Sequence, residues 1–140
     1  FTSSEGKDNL LLSMGADDVV SSVDKDAIRS YGSKFDFLIS TVNVKLDWNL
    51  FLSIIRPRGR LHFVGAVLDP IDASVFSLMG GRRSISGSPV GSPKNIKKML
   101  AFCSKHGIYP EVEHFKFKNI NEAIKKVREN KVRFRAVLSW

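Results

Sequence analysis

The chain is poor in the residues that most often mark a reactive centre. It carries one cysteine, Cys103, among 140 residues. A single thiol closes no internal disulfide and builds no cysteine-rich zinc centre, and it suits a reducing, cytoplasmic setting. The histidines are His62, His106 and His114. None has a second histidine or a carboxylate at ligand spacing, which speaks against a zinc site among them. No apolar run approaches the roughly 18 residues of a membrane span, and no signal-peptide pattern opens the sequence. Internal repeats, low-complexity tracts, a serine nucleophile elbow and a phosphate-binding P-loop are also lacking.

What is present is an ordinary globular mixture, 43% hydrophobic and 26% charged, with enough apolar mass for a core. Lys and Arg number 22 against 14 Asp and Glu, a net charge of +8. Residues 1–93 hold equal numbers of each sign, so the whole surplus lies in residues 94–140. A basic tail reads either as the solvated faces of amphipathic helices or as a surface for an anionic partner. No helix-turn-helix, zinc-finger or RNA-binding signature accompanies it, so nucleic acid is the weakest of these partners.

Strand and helix patterns alternate. Residues 7–14 read as a helix stopped by Gly15, Val19-Val20 as the centre of a short strand, and residues 24–31 as a second helix. Residues 35–40 are almost continuously apolar, the pattern of a strand buried on both faces. Residues 46–55 read as a helix broken by Pro57, with Gly59 turning the chain into a strand over residues 60–64. Val75 to Leu78 reads as an edge strand, and Ser84 to Ser86 as another. Ser92-Pro93 is a helix start, an N-cap followed by proline at the first helical position. Ile96, Met99, Leu100 and Cys103 then share one face, which makes Cys103 a core thiol, and Gly107 ends that helix. A strand over residues 114–117, a helix opened by Asn119 with Glu122 as a capping-box variant, and a strand over residues 134–138 complete the chain.

This alternation predicts an α/β fold with a parallel sheet covered on both faces. Ligands in such sheets bind beyond the carboxyl ends of the strands. The exits are Thr2-Ser3-Ser4-Glu5-Gly6-Lys7, Ser40-Thr41-Val42, Val64-Gly65-Ala66 and Ser86-Gly87-Ser88. Ser3, Ser4 and Lys7 offer hydroxyls and an ammonium, which suit a phosphate; the same residues also suit a helix N-cap at Ser4 with a polar first turn. Gly65 and Gly87 permit close backbone approach, or serve only as turns.

Taken in order, Ser3-Ser4 with Lys7, Met14-Gly15-Ala16-Asp17, Phe35-Asp36 with Ile39-Ser40-Thr41-Val42, Gly59-Arg60 with Val64-Gly65, Ser86-Gly87-Ser88 and Val132-Arg133-Phe134-Arg135-Ala136-Val137 resemble the medium-chain zinc-type alcohol dehydrogenases. The nearest branch is the NADP-dependent cinnamyl alcohol dehydrogenases and their bacterial aldehyde-reducing relatives. The resemblance implies a partial Rossmann doubly wound sheet that lacks its first strand–helix unit. It divides the chain into an incomplete NADP-binding domain over residues 1–112 and a return segment of the catalytic domain over residues 113–140.

For the site, it implies that Ser3, Ser4 and Lys7 hold the 2′-phosphate of NADP(H). Thr41 and Val42 lie near the nicotinamide ribose, Val64 and Gly65 make a further contact, and Ser86, Gly87 and Ser88 sit beside the nicotinamide. Arg135, or Arg133 in its place, reaches the phosphates. The family's glycine-rich turn, zinc ligands and proton-relay hydroxyl have no counterpart in these residues. With a chain that starts at Phe1, this implies a C-terminal fragment of a cytoplasmic reductase for small alcohols and aldehydes. Alone it is expected to be inactive and to self-associate as a homodimer through an exposed sheet edge, with Val75 to Leu78 as the pairing segment. The alternative is a naturally shortened, non-catalytic nucleotide-binding or oligomerisation module.

Overall fold

The computed structural model describes residues 1–3, 6–129 and 131–140. It separates into two compact units, Phe1–Val90 and Gly91–Trp140.

In the first unit, three parallel strands, β1 (Phe35–Ser40), β2 (Ile55–Phe63) and β3 (Ser84–Gly87), lie in the order β1-β2-β3. Two helices, α1 (Asp8–Ser13) and α2 (Lys25–Arg29), precede β1; α3 (Trp48–Ser53) joins β1 to β2, and α4 (Val75–Met79) joins β2 to β3. Side-chain caps fix two of the helix starts. Asp24 accepts hydrogen bonds from the N–H groups of Asp26 and Ala27, and Asp47 accepts from that of Leu50, satisfying donors that a first turn leaves orphaned. The core gathers where α3 lies on the sheet: Trp48, Leu50, Phe51, Leu52, Ile54, Ile55 and Leu61, with Ile28 from α2. Trp48 meets Phe63 edge-on, ring centroids 4.7 Å apart.

Four expectations change here. The Val19-Val20 strand reduces to one parallel bridge between Thr2 and Ser21. β1 is buried on one face only: Phe37 and Ile39 on the other face are 49% and 55% exposed, and β1 pairs with β2 along a single edge among the described residues. The helix over residues 46–55 shrinks to six residues because Ile55 already pairs with Phe35. Phe37 next pairs with Arg60, so the Arg-Pro-Arg-Gly stretch bulges outward within β2 instead of breaking a helix, and Arg58 takes a left-handed conformation. Finally, Val75 to Leu78 is helical, not an edge strand. Asn49 of α3 holds this segment, donating to the Asp72 carbonyl (3.0 Å) and accepting from the Ser74 N–H (2.8 Å) and the Ser77 hydroxyl (3.2 Å). Arg83 clamps its end through the carbonyls of Ile55 and Ser77. Tertiary hydrogen bonds here override the strand propensity of Val75 and Phe76.

The second unit opens with α5 (Pro93–His106), where the Ser92 hydroxyl accepts from the Asn95 N–H and Pro93 fills the first turn. Gly107 closes it in the left-handed conformation at φ +64°, and the Ile108 N–H reaches back to the Cys103 carbonyl, the geometry glycine adopts without strain. No residue of α5 is buried, so Cys103 is a half-exposed thiol and not a core one. β4 (Glu113–Lys116) and β5 (Ala136–Ser139) pair in parallel, joined by α6 (Ile120–Arg128). Phe115 and Ala123 form the small buried centre of this unit. Asn119 makes no side-chain cap. Phe134 turns left-handed, which delays β5 to Ala136. No helix among the described residues is long and apolar enough to cross a membrane.

Tyr31 ties the first unit together ahead of the sheet. Its ring stacks on Phe35 with centroids 5.5 Å apart, and its hydroxyl donates to the Asp18 carboxylate. That bond, followed by the Val19 N–H, holds the Asp18 carboxyl below the usual carboxylate range. A depressed folded-state value stabilises the fold above the ordinary carboxylate value of about 4, and the gain is lost as pH falls through the folded value. Asp18→Asn is therefore expected to lower stability near neutral pH, with the gap to the unsubstituted protein closing in acid. Urea unfolding across the acid range measures this.

Candidate functional site

The strand exits are stitched together by main-chain bonds. The Ser40 carbonyl at the end of β1 accepts from both the Val64 N–H (2.9 Å) and the Gly65 N–H (3.1 Å), and the Phe63 carbonyl accepts from the Ser88 N–H (3.0 Å). Thr41-Val42, Val64-Gly65 and Gly87-Ser88 therefore lie side by side along one crest. A glycine is needed at position 65, because a Cβ there would stand 2.2 Å from the Val42 carbonyl oxygen and 2.6 Å from that of Thr41. Gly87 is less confined, its Cβ position lying 3.3 Å from the Phe63 carbonyl oxygen.

The front of the chain reaches this crest. Thr2 is held by two main-chain bonds, its N–H donating to the Val20 carbonyl and its carbonyl accepting from the Ser22 N–H. The Phe1 ring packs edge-on against Tyr31, Phe35 and Phe51. Between this front segment and β1 runs a groove of about 470 Å³, with Phe1, Thr2 and Ser3 on one wall, Ile39 to Val42 on the other, and Trp48, Phe51 and Leu61 beneath. Ser40 and Trp48 are among its lining residues, and the Ser40 hydroxyl and the Trp48 indole N–H are buried without a hydrogen-bond partner among the described residues. Unpaired buried donors and acceptors are costly.

The sequence-derived candidates therefore fall into separate groups. Ser3, Thr41 and Val42 share the groove. Val64 and Gly65 abut it through Ser40. Ser86 and Ser88 belong to the neighbouring exit, where both hydroxyls meet His62. Lys7 is exposed at the start of α1, makes no side-chain cap, and does not line the groove. Ser4 lies outside the described residues. Arg135 is exposed in the second unit, where its carbonyl accepts from the Glu113 N–H. Sequence reading quoted Ser40 at its strand exit without giving it a role, and it missed Trp48 and His62. Trp48 carries no motif, but His62 alternates with Arg60 and Val64 at the end of an apolar strand, and that polar interruption is a usable signal. Among the described residues no group of three or more His, Cys, Asp or Glu side chains is arranged to hold a metal ion.

A family model described as zinc-binding dehydrogenase matches residues 1–105. Aldehyde reductase AdhA of Synechocystis sp. is 50% identical over 139 residues, covering 99% of this chain and 41% of that protein. Cinnamyl alcohol dehydrogenase 2 of Arabidopsis thaliana is 32% identical over 136 residues, covering 97% of this chain and 36% of that protein. Among solved structures, a cinnamyl alcohol dehydrogenase of Sorghum bicolor superposes with a TM-score of 0.89 at 29% identity, over 97% of this chain and 39% of that one. The CAD of Helicobacter pylori, complexed with NADP(H), gives 0.77 at 30% identity, over 99% of this chain and 39% of that one. The chain thus spans about 40% of the length of the relatives it matches, and its α/β architecture of parallel strands is that of the Rossmann-type cofactor-binding domain of alcohol dehydrogenases.

The crowding at Gly65 gives a direct test. Gly65→Ala forces two carbonyl groups apart and is expected to cost about 2 kcal/mol or more, whereas Gly87→Ala costs clearly less. Denaturant midpoints of the two variants decide the order.

Proposed function

The chain belongs to the zinc-binding dehydrogenase family, and we propose that it forms the cofactor-binding part of an NADP(H)-dependent alcohol dehydrogenase interconverting primary alcohols and aldehydes by hydride transfer. The observation that carries this reading is the groove in which Ser3 stands across from Thr41 and Val42, beside the strand exits. The groove lies where an α/β sheet binds its ligands, beside the carboxyl ends of the strands. The relative solved with NADP(H) supports the choice of coenzyme.

When bound, the nicotinamide supplies or takes up the hydride. The residues of this chain hold and orient it. Ser3, Ser4 and Lys7 hold the 2′-phosphate, with Lys7 providing the charge. Thr41 and Val42 flank the nicotinamide ribose, and Val64 and Gly65 set the width of the crest. Ser86, Gly87 and Ser88 border the nicotinamide, and Arg135 reaches the phosphates. Residues 1–112 act as the nucleotide-binding part, and residues 113–140 act as the return segment of the catalytic domain; the boundary between the two compact units falls earlier, at Val90–Gly91. Among the described residues no side-chain set is arranged to hold a zinc ion. The setting is cytoplasmic.

Self-association belongs to the same reading. The edge of β1 that is unpaired among the described residues, with Phe37 and Ile39 exposed beside it, is the kind of edge that recruits a second chain. Sedimentation of the 140-residue chain is expected to show dimer growing with concentration, and a single monomer boundary from micromolar to millimolar overturns this. For the coenzyme, Lys7→Glu in the full-length polypeptide replaces attraction to the extra phosphate with repulsion. NADPH binding is expected to weaken by about tenfold or more while NADH binding changes little. Equal losses for both coenzymes, measured by fluorescence titration, overturn the assignment.

A further inference from the structure

The amino ends of the strands, at the far end of the sheet from the crest, hold two arginines that the backbone does not ask for. Residues 56–59 bulge from β2 beside Asp36, and Gly59 packs so closely that a Cβ there would stand 2.7 Å from the Asp36 carbonyl oxygen. Arg58 turns left-handed at φ +68° within this bulge. Its N–H donates to the Gly81 carbonyl (2.7 Å), in the turn that ends α4. That turn has a left-handed residue of its own, Arg82 at φ +50°, although neither Gly80 nor Gly81 beside it is left-handed. Glycine fills such a position without strain and arginine fills it at a cost. Strain of this kind concentrates where a side chain clamps a ligand.

The surrounding charge is of one sign. Residues 30–40, 53–63 and 80–87 contain Lys34, Arg56, Arg58, Arg60, Arg82 and Arg83 against a single carboxylate, Asp36. Arg56 takes that carboxylate, its Nη1 lying 2.9 Å from both oxygens. Arg83 donates from Nε to the Ile55 carbonyl (2.7 Å) and from Nη1 to the Ser77 carbonyl (3.1 Å). Lys34 lies over the Tyr31 ring, 4.7 Å from its centroid, and Arg60 approaches the Ser84 hydroxyl. Arg58 and Arg82 are exposed, and their guanidinium groups have no hydrogen bond or ion pair among the described residues. Two unspent guanidiniums thus stand on adjacent turns joined by a main-chain bond. Each presents a planar fork of N–H donors matched to phosphate oxygens. One carboxylate occupies one fork; two linked phosphate groups occupy both.

We propose that Arg58 and Arg82 bind a small oligophosphate at the amino ends of the strands. The paired run of β2 from Arg60 to Phe63, at about 3.3 Å per residue, separates this place from the strand exits.

The probe is inorganic pyrophosphate, titrated by calorimetry into the full-length polypeptide with and without saturating NADP⁺. One pyrophosphate per chain is expected in both conditions. Arg58→Gly and Arg82→Gly are each expected to weaken it by about tenfold or more, with a urea midpoint no lower than that of the unsubstituted protein, because glycine relieves the left-handed strain. Arg58→Lys, which keeps the charge and loses the fork, is expected to retain part of the affinity. Four results overturn the proposal: no pyrophosphate bound by the unsubstituted protein; binding abolished by NADP⁺, which assigns it to the coenzyme's own phosphate contacts; binding that neither glycine variant weakens; or a midpoint that falls in step with binding, which traces the loss to the fold. Tighter binding of hexaglutamate than of pyrophosphate makes the patch a docking surface for an acidic protein segment and overturns it as well. Failure of the coenzyme reading leaves the titration without NADP⁺ intact, so the two stand or fall separately.

Discussion

The crest of the first unit depends on one carbonyl. Ser40 ends β1 and accepts hydrogen bonds from both Val64 and Gly65, so the exits of two strands are fixed to each other by main chain alone. That pair of hydrogen bonds draws the backbone after β2 under the carbonyls of Thr41 and Val42, to a separation that no Cβ tolerates. The position of every candidate side chain on those exits follows from this contact. The glycine at position 65 thus has a packing cause that stands without any ligand, and whatever binds there meets a surface already shaped.

A second level of order comes from polar side chains that act across elements. Asn49 and Arg83 reach from α3 and the start of β3 to fix the segment that holds α4. Tyr31 and Asp18 do the same ahead of the sheet, and His62 does it between β2 and β3. These are long-range contacts between residues with no local signature. In a unit whose apolar core is small and confined to one sheet face, such contacts supply geometric definition that packing by itself leaves loose.

Legibility in the sequence followed the same division. Features that depend on a few adjacent residues were readable: the Ser92-Pro93 start and the Gly107 stop of α5, the stop at Gly15, and the strand character of residues 35–40. The ordered set of short motifs was enough to recognise the family. Features that depend on partners distant along the chain were not. Val75 to Leu78 reads as strand by propensity and becomes helix because Asn49 holds its leading end. Residues 56–59 read as a helix breaker and become a bulge because Ile55 is already paired. Cys103 reads as core by periodicity, yet α5 buries none of its residues. Ser3, Thr41 and Val42 were named in the sequence from their places at strand exits, and the structure sets all three along one groove. His62 was passed over because its partners are 24 and 26 residues away.

The two tryptophans fall one to each compact unit. Trp48 is 2% exposed beneath the groove of the first, and Trp140 is 100% exposed in the second, its indole stacked on Phe117 at 4.1 Å. An indole sealed from water emits toward the blue and one bathed in it toward the red. The molecule thus carries two built-in chromophores of separable colour, and loss of order in either half has its own optical signature.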